Sequence, residues 1–267
     1  MDQLFNKGVI LERLETDWLG RQLHLVGSVG STNDLLQEMA TAGATHGTLV
    51  LADYQHAGKG RRGRRWHAPP GTSLLTSVLF RPDWPAARAM WLMMIAGLAA
   101  AEAIEAVAGI TVGLKWPNDL MVAPQGSWLK VGGLLLETAL AGGSLHRAVL
   151  GTGINVNIPD RQLPAAAVPA ASLLSATGRM TSRLDLLSSY LQRLEQRYEA
   201  IVGGQSPQPE WNRRLIVLGQ SVSVSGEGDE QPVMGLAEGT DDAGRLLVRT
   251  EAGRLYAFAA GDVTLRS

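Results

Sequence analysis

One short stretch of this chain concentrates groups that bind anions. Residues 58–65 read Gly-Lys-Gly-Arg-Arg-Gly-Arg-Arg, with five cations and three glycines in eight residues, although the chain has a formal net charge of −1. No Asp or Glu occurs in residues 54–82. Guanidinium forks and glycine backbone amides both suit phosphate or carboxylate oxygens. Alone, this stretch leaves open a nucleotide site, a nucleic-acid contact or a solvated basic surface.

Three further segments carry polar groups where a strand gives way to a turn or a helix. The first is 30–33 (Gly-Ser-Thr-Asn), and the second is 115–119 (Lys-Trp-Pro-Asn-Asp), followed in the chain by 130–133 (Lys-Val-Gly-Gly). The third is 151–157 (Gly-Thr-Gly-Ile-Asn-Val-Asn). Each has an ordinary structural explanation, namely a helix N-cap, a turn with a buried tryptophan, and a strand end close to another backbone. Their combination, rather than any one of them, suggests a binding site.

Composition narrows the classes of protein. The 267 residues, 45% hydrophobic and 18% charged, are enough for one or two domains with a sizeable core. The absence of cysteine excludes disulfides, thiolate zinc sites and a cysteine nucleophile, and it fits a cytoplasmic protein. The apolar window 90–101 is short for a bilayer, the N-terminus lacks a secretory pattern, and the five histidines lack metal-ligand spacing. We therefore expect no membrane association and no protein-built metal site.

Periodicity predicts the elements that position these motifs. Strands are expected at 21–26, 47–53, 72–80, 111–116, 119–122, 130–138 and 145–153. Helices are expected before residue 20, from a cap at Ser31 or Thr32 to Gly43, at 90–107, at 184–201 and around Trp211. From Gly219, five short apolar runs separated by turns predict a small β-barrel. These elements indicate an α+β fold.

The motifs, in this order, resemble the biotin protein ligases. Residues 58–64 match the family signature Gly-Arg-Gly-Arg-Arg-Gly-Arg except at Lys59. The other matches are Ser31-Thr32-Asn33, Tyr54-Gln55, Lys115-Trp-Pro-Asn-Asp119, Lys130-x-Gly-Gly133, Gly153-Ile-Asn155 and, near the C-terminus, Gly261-Asp-Val-Thr-Leu-Arg266. The resemblance implies a class II aminoacyl-tRNA synthetase-like mixed sheet with helices in residues 1–212, and a small SH3-like β-barrel in residues 213–267.

The resemblance also implies a reaction and a set of site residues. Biotin and ATP, with Mg²⁺ bridging phosphate oxygens, would form biotinyl-5′-AMP, and the biotinyl group would pass to a lysine of a biotin carboxyl carrier protein. The implied catalytic residues are Lys130, Arg61, Lys115 and Asp119. The implied biotin contacts are Ser31, Thr32, Asn33, Gln55, Gly58, Gly60, Arg61, Lys130, Gly132 and Gly133. The implied nucleotide contacts are Arg62, Gly63, Arg64, Trp66, Asn118, Asn155 and Arg266.

Two alternatives stay open at this point. A lipoate–protein ligase-like enzyme also adenylates its substrate, although that group lacks the arginine-rich loop in this form. A nucleic-acid-binding regulator would use the basic loop and the small barrel. Because only about twenty residues precede the first predicted strand, whereas a three-helix winged module needs roughly sixty, we expect a monofunctional ligase without specific DNA binding, as a monomer or homodimer.

Overall fold

Two β-sheets, one large and mixed and one small and antiparallel, organise the chain. The computed structural model describes residues 6–164, 168–226 and 231–265. The strands of the large sheet are β1 Leu23–Val29, β2 Leu49–Gln55, β3 Ser73–Phe80, β4 Trp84–Pro85, β5 Val112–Lys115, β6 Asp119–Val122, β7 Leu129–Ala141 and β8 Ser144–Asn155. The helices are α1 Lys7–Arg13, α2 Thr32–Thr41, α3 Ala89–Ala108, α4 Leu173–Thr177, α5 Arg183–Val202 and α6 Gln208–Arg214.

The large sheet is covered by helices on both faces. Its order is β1-β2-β3-β8-β7-β6-β5, with β4 paired to β8, and only β1 and β2 run parallel. The α2 residues Leu36 and Ala40 pack against one face, on Val50, Leu79 and Val149. Helices α3 and α5 belong to the main core on the other face. All eight residues of the inner strand β3 are therefore buried, including the polar residues Ser73, Thr76 and Ser77.

Helix α3 is the central helix of the main core. It is rich in Ala, Leu and Met, and it ends at Gly109, whose left-handed backbone (φ 68°) suits a glycine. A Cβ on Gly97 would lie 2.6 Å from Cζ3 of Trp211, so α6 packs directly against this glycine. The segment Ala86–Ala108 is long and apolar enough to cross a membrane, but 72% of its apolar window is buried inside the protein. It is therefore the core helix of the fold.

The small sheet contains the last five strands. They are β9 Ser221–Ser225, β10 Val233–Thr240, β11 Leu246–Arg249, β12 Leu255–Phe258 and β13 Asp262–Leu265, in the order β12-β11-β10-β9-β13. The final strand thus returns beside the first. The turn between β10 and β11 docks on the large domain, because Trp91 Nε1 donates to Asp242 O (2.8 Å) and Trp116 Nε1 donates to Gly244 O (3.0 Å).

Most predicted elements are present, with shifted ends. Strands β7 and β8 extend to residues 141 and 144 because a tight turn at Gly142 and Gly143, both at positive φ, joins them into one long hairpin. The two predicted hairpin turns, at 241–244 and 251–253, connect β10 to β11 and β11 to β12. Helix α4 was not predicted, although Ser172 and Ser175 form its capping box. Residue Arg266 lies outside the described residues.

Candidate active site

The basic loop, residues 58–65, connects β2 to β3 and lines a cavity of about 560 Å³ together with Leu135 and Glu137. Backbone bonds from Gly60 N to Arg64 O (2.8 Å) and from Trp66 N to Gly58 O (2.9 Å) close the loop on itself. Gly58 must be a glycine here, since a Cβ would lie 2.6 Å from Trp66 O. Arg62 adopts the left-handed region (φ 56°, ψ 41°), which is uncommon for a residue with a Cβ.

Each of four loop cations contacts a side-chain oxygen from another element. Lys59 pairs with Asp34 in the first turn of α2. Arg61 Nη1 donates to Asn118 Oδ1 at 3.3 Å. Arg62 and Arg64 both contact Oδ2 of Asp262, at the start of β13. The loop therefore bridges α2, the turn before β6 and the small sheet.

A hydrogen-bonded network lies below the loop, at the N-terminus of α2. Gln55 Oε1 accepts from Thr32 N (2.7 Å) and Thr32 Oγ1 (2.9 Å). Ser77 Oγ lies 2.8 Å from Thr32 Oγ1 and donates to Asn33 Oδ1 at 2.6 Å. Asn33 Nδ2 donates to Glu137 Oε2 at 2.7 Å. Buried polar groups that satisfy one another in this way are held in fixed orientations.

The structure brings the predicted residues Ser31, Thr32, Asn33 and Gln55 together. Ser31 is the N-cap residue of α2 and is buried, but its side chain makes no capping hydrogen bond. Asn33 is also buried, with its amide and its oxygen both occupied by the network. Asn33 thus joins Ser77 of β3 to Glu137 of β7 through its side-chain hydrogen bonds. Contact between Asn33 and a ligand stays a prediction.

Three more charged residues meet where β5, β6 and β7 lie side by side. Lys115 and Asp119 are direct partners across β5 and β6. The bulge at Val131 in β7 shifts the register, so that Lys130 Nζ reaches Asp119 Oδ1 at 2.5 Å. Burial lowers the pKa of Lys115, and the nearby Asp119 carboxylate opposes this change. Two ammonium groups therefore share one carboxylate, which leaves positive charge for an anionic ligand.

Asn118 links this group to the basic loop. Its Nδ2 donates to Leu134 O at 2.7 Å, and its Oδ1 accepts from Arg61. It follows the cis peptide bond between Trp116 and Pro117. Burial lowers the pKa of Arg61, while the Asp262 and Asp119 carboxylates oppose this change. Asn118 thus orients the Arg61 guanidinium from below.

A pair of glycines in the middle of the sheet leaves room for Trp66. Gly133 and Gly153 are direct partners across β7 and β8. A Cβ on Gly153 would lie 2.8 Å from Cε2 of Trp66, so the indole ring packs directly against the backbone of Gly153. Lys130 Nζ lies 6.0 Å from the centroid of the same ring. The glycines therefore set the depth at which Trp66 sits beside Lys130.

Two of the predicted nucleotide contacts each have a buried polar atom with no hydrogen-bond partner within the described part of the chain. These atoms are Trp66 Nε1, a donor, and Asn155 Oδ1, an acceptor. The other end of the Asn155 amide donates to Ala171 O at 3.0 Å, in the segment that also pairs with the backbone of Lys130. Native proteins leave few buried groups unsatisfied. These two atoms are therefore suited to contact a ligand.

Family models match most of the chain. Residues 26–155 match the biotin/lipoate A/B protein ligase family, and residues 217–266 match the biotin protein ligase C-terminal domain. The biotin–acetyl-CoA-carboxylase ligase of Mycobacterium tuberculosis is 36% identical over 253 residues, which cover 91% of this chain and 88% of that relative. This chain belongs to the biotin protein ligase family.

Further similarities confirm the architecture expected of this ligase. The bifunctional ligase/repressor BirA of Bacillus subtilis is 32% identical over 250 residues, covering 92% of this chain and 75% of that relative. The biotin protein ligase of Aquifex aeolicus in complex with biotin and ATP is similar in structure, with a TM-score of 0.74 and 29% identity, covering 92% of this chain and 99% of that one. The α+β prediction, with its appended small antiparallel domain, is therefore confirmed.

Sequence reasoning named Asp119 but missed three other acidic residues of this ligase site. Asp34 contacts Lys59, and Glu137 accepts a hydrogen bond from Asn33. Asp262 contacts both Arg62 and Arg64. Asp262 lies within the C-terminal segment that carried the resemblance, but no spacing rule connects it to residues 62 and 64, about 200 positions earlier. Only the docking of the small sheet brings these residues together.

Proposed function

We propose that this ligase activates biotin with ATP and transfers the biotinyl group to a lysine of a biotin carboxyl carrier protein. The observation that carries the proposal is the convergence of Arg61, Lys115 and Lys130 around the single carboxylate of Asp119, beside the cavity under the basic loop. The named ligase relatives and the Aquifex aeolicus complex with biotin and ATP support these substrates.

In the first step, a carboxylate oxygen of biotin attacks the α-phosphorus of ATP. The bond between that phosphorus and the pyrophosphate oxygen breaks, and pyrophosphate leaves with the electron pair. Two anions must approach each other, so the site needs cations placed before the reaction begins. We assign Lys130 to the biotin carboxylate and the α-phosphate, and Arg61 and Lys115 to the phosphates. Asp119 orients the Lys130 ammonium through their contact.

Mg²⁺ enters this scheme as part of the MgATP substrate. Among the described residues, no group of three or more His, Cys, Asp or Glu side chains could hold a metal ion. The one carboxylate at the centre of the site, that of Asp119, is already in contact with Lys130. We therefore assign the ion to phosphate oxygens, which Mg²⁺ commonly binds together with water.

In the second step, the amine of the acceptor lysine attacks the biotinyl carbonyl carbon. The bond from that carbon to the phosphate oxygen breaks, AMP leaves, and an amide forms as the amine loses a proton. No nucleophile from the ligase is needed, in keeping with the absence of cysteine. The basic loop, with Arg62, Gly63 and Arg64 at its tip, shields the mixed anhydride from water between the steps.

The proposal also assigns substrate contacts around the loop. The polar ureido head of biotin is assigned to the network of Ser31, Thr32, Asn33 and Gln55, with Gly58, Gly60, Gly132 and Gly133 providing close backbone approach. The nucleotide is assigned to Trp66, Asn118 and Asn155, because Trp66 Nε1 and Asn155 Oδ1 are a donor and an acceptor without partners among the described residues. Residue Arg266, also assigned there, lies outside the described residues.

The proposal includes the absence of specific DNA binding and a boundary between the two domains at residues 212 and 213. Four loop cations contact Asp34, Asn118 or Asp262, and the proposal assigns the loop arginines to the phosphates of one nucleotide rather than to a nucleic-acid backbone. A gel shift that survived about 150 mM salt would contradict this part, since non-specific binding weakens steeply with salt. Cytoplasmic localisation and a monomeric or homodimeric state stay predictions.

The decisive experiment is ATP–pyrophosphate exchange with biotin, lipoate and octanoate, run side by side. We expect exchange with biotin alone, and transfer of labelled biotin to a purified carrier domain. The Lys130→Ala variant serves as the matched inactive control. Exchange with lipoate in preference to biotin would favour the lipoate ligase alternative, and exchange with none of the three acids would refute the activity.

A further inference from the structure

One carboxylate of the small sheet contacts two arginines of the basic loop. Asp262 is the first residue of β13, and its Oδ2 accepts from Arg62 Nη1 at 3.0 Å. The same oxygen accepts from Arg64 Nη2. The side chains of Asp262 and Arg62 are about two-fifths and one-third exposed, so the pair is open to solvent and can exchange partners. The small domain therefore supplies a charged group to the active-site loop.

The contact with Asp262 helps to hold the loop in its observed shape. Arg62 lies in the left-handed region, where a Cβ makes the backbone conformation unfavourable. Its ion pair with Asp262 offsets this cost. At the other end of the loop, Lys59 contacts Asp34 of α2. The loop is thus held between two acids that belong to different domains.

The Asp262 carboxylate also acts on the other cations of the site. It raises the pKa of Arg61 and of Lys115, opposing the effect of their burial. A single carboxylate carries one negative charge, whereas the phosphates of ATP or pyrophosphate carry several. Guanidinium groups bind phosphate oxygens through forked hydrogen bonds. The nitrogen atoms now engaged with one Asp262 oxygen are therefore available to phosphates only if that contact is released.

We propose that Asp262 is a positioning residue that holds Arg62 and Arg64 over the site before the nucleotide binds and is displaced from them by the phosphates of the nucleotide. The proposal rests on the proposed function in taking MgATP as the ligand. Asp262 competes with phosphate for the two arginines, and it keeps the loop ordered before the nucleotide arrives. Asp262 consequently influences nucleotide affinity from the small sheet without itself contacting the nucleotide.

The test compares Asp262→Asn with Glu238→Gln in the full chain. Glu238 pairs with Arg249 in the same small sheet, and neither residue contacts the basic loop in the described structure, so this variant is the matched control. Two quantities are measured: the rate of tryptic cleavage after the loop arginines without ligand, and the affinity for inorganic pyrophosphate. We expect Asp262→Asn to be cleaved several-fold faster and to bind pyrophosphate about two- to five-fold more tightly, the range for exposed ion pairs.

A third measurement separates positioning from general structural damage. Asp262→Asn should lower the KM for MgATP by a similar factor, and Asp262→Glu should restore slow cleavage. Unchanged cleavage of Asp262→Asn, or unchanged or weaker pyrophosphate binding, would overturn the proposal. If wild-type protein showed no biotin-dependent exchange, the proposed function would fail, while loop cleavage and pyrophosphate binding would still decide the role of Asp262.

Discussion

Lys130 places its ammonium 2.5 Å from Oδ1 of Asp119, across the β-bulge at Val131. The bulge adds one residue to β7, and Val131 itself is fully buried. Without it, the alternation of side chains along β7 would differ by one position, and Lys130 would face the other side of the sheet. The catalytic assignment of Lys130 therefore depends on a local irregularity of the sheet.

The first prediction concerns Lys130. Lys130→Ala should reduce biotin-dependent ATP–pyrophosphate exchange by about 100-fold, because a preorganised cation at the reacting phosphate is lost. Its backbone hydrogen bonds with Pro169 and Ala171 remain, so urea unfolding should be nearly unchanged. Exchange at the wild-type rate would contradict the catalytic role.

The second prediction concerns retention of the adenylate. Arg61→Ala should release biotinyl-5′-AMP at least several-fold faster than wild type, because the guanidinium that Asn118 orients would no longer bind the intermediate. Arg65→Ala is the control within the same loop, since the exposed side chain of Arg65 makes no ion pair with the described residues. The measurement is the dissociation rate of labelled adenylate. Equal rates for the two variants would count against Arg61.

The third prediction concerns the glycine beneath Trp66. Gly153→Ala should destabilise the protein by about 1–3 kcal/mol and raise the KM for ATP, because its Cβ would overlap the indole ring. The control is Gly27→Ala in β1, where a Cβ meets nothing within 4 Å. Urea unfolding and exchange kinetics report the two effects. A Gly153→Ala protein with wild-type stability and KM would show that Trp66 is not held as described.

The fourth prediction concerns pH. Burial lowers the pKa of Lys115 in the folded protein. Keeping this buried lysine charged therefore lowers the free energy of unfolding, whereas a neutral side chain at the same position does not. Lys115→Met should therefore have an equal or higher free energy of unfolding near pH 8, together with reduced exchange. This difference should shrink as pH rises towards about 10.4, where the unfolded lysine also loses its proton. Lys7→Met, at an exposed position in α1, is the control, and chemical denaturation at several pH values is the measurement.

Local sequence determined much of the fold. The apolar run of 90–107 predicts α3 to within a residue at each end, because a helix buried on all sides needs no polar face. The glycine- and acid-containing turns at 241–244 and 251–253 predict the hairpins of the small sheet for a similar local reason. The motif order, from Ser31 to Asn155, indicates which segments belong to one site.

The sequence by itself determined which cations and glycines this ligase places in its loop and strands, because these residues occur together in short, contiguous motifs. Only the tertiary structure decided which acids face them. Asp34 of α2 and Asp262 of β13 meet the loop cations through the packing of α2 and the docking of the small domain. Asp119 was already part of a motif, but its contact with Lys130 depends on sheet pairing and a bulge. Contacts between residues 200 positions apart depend on the packing of whole elements, which local patterns do not specify.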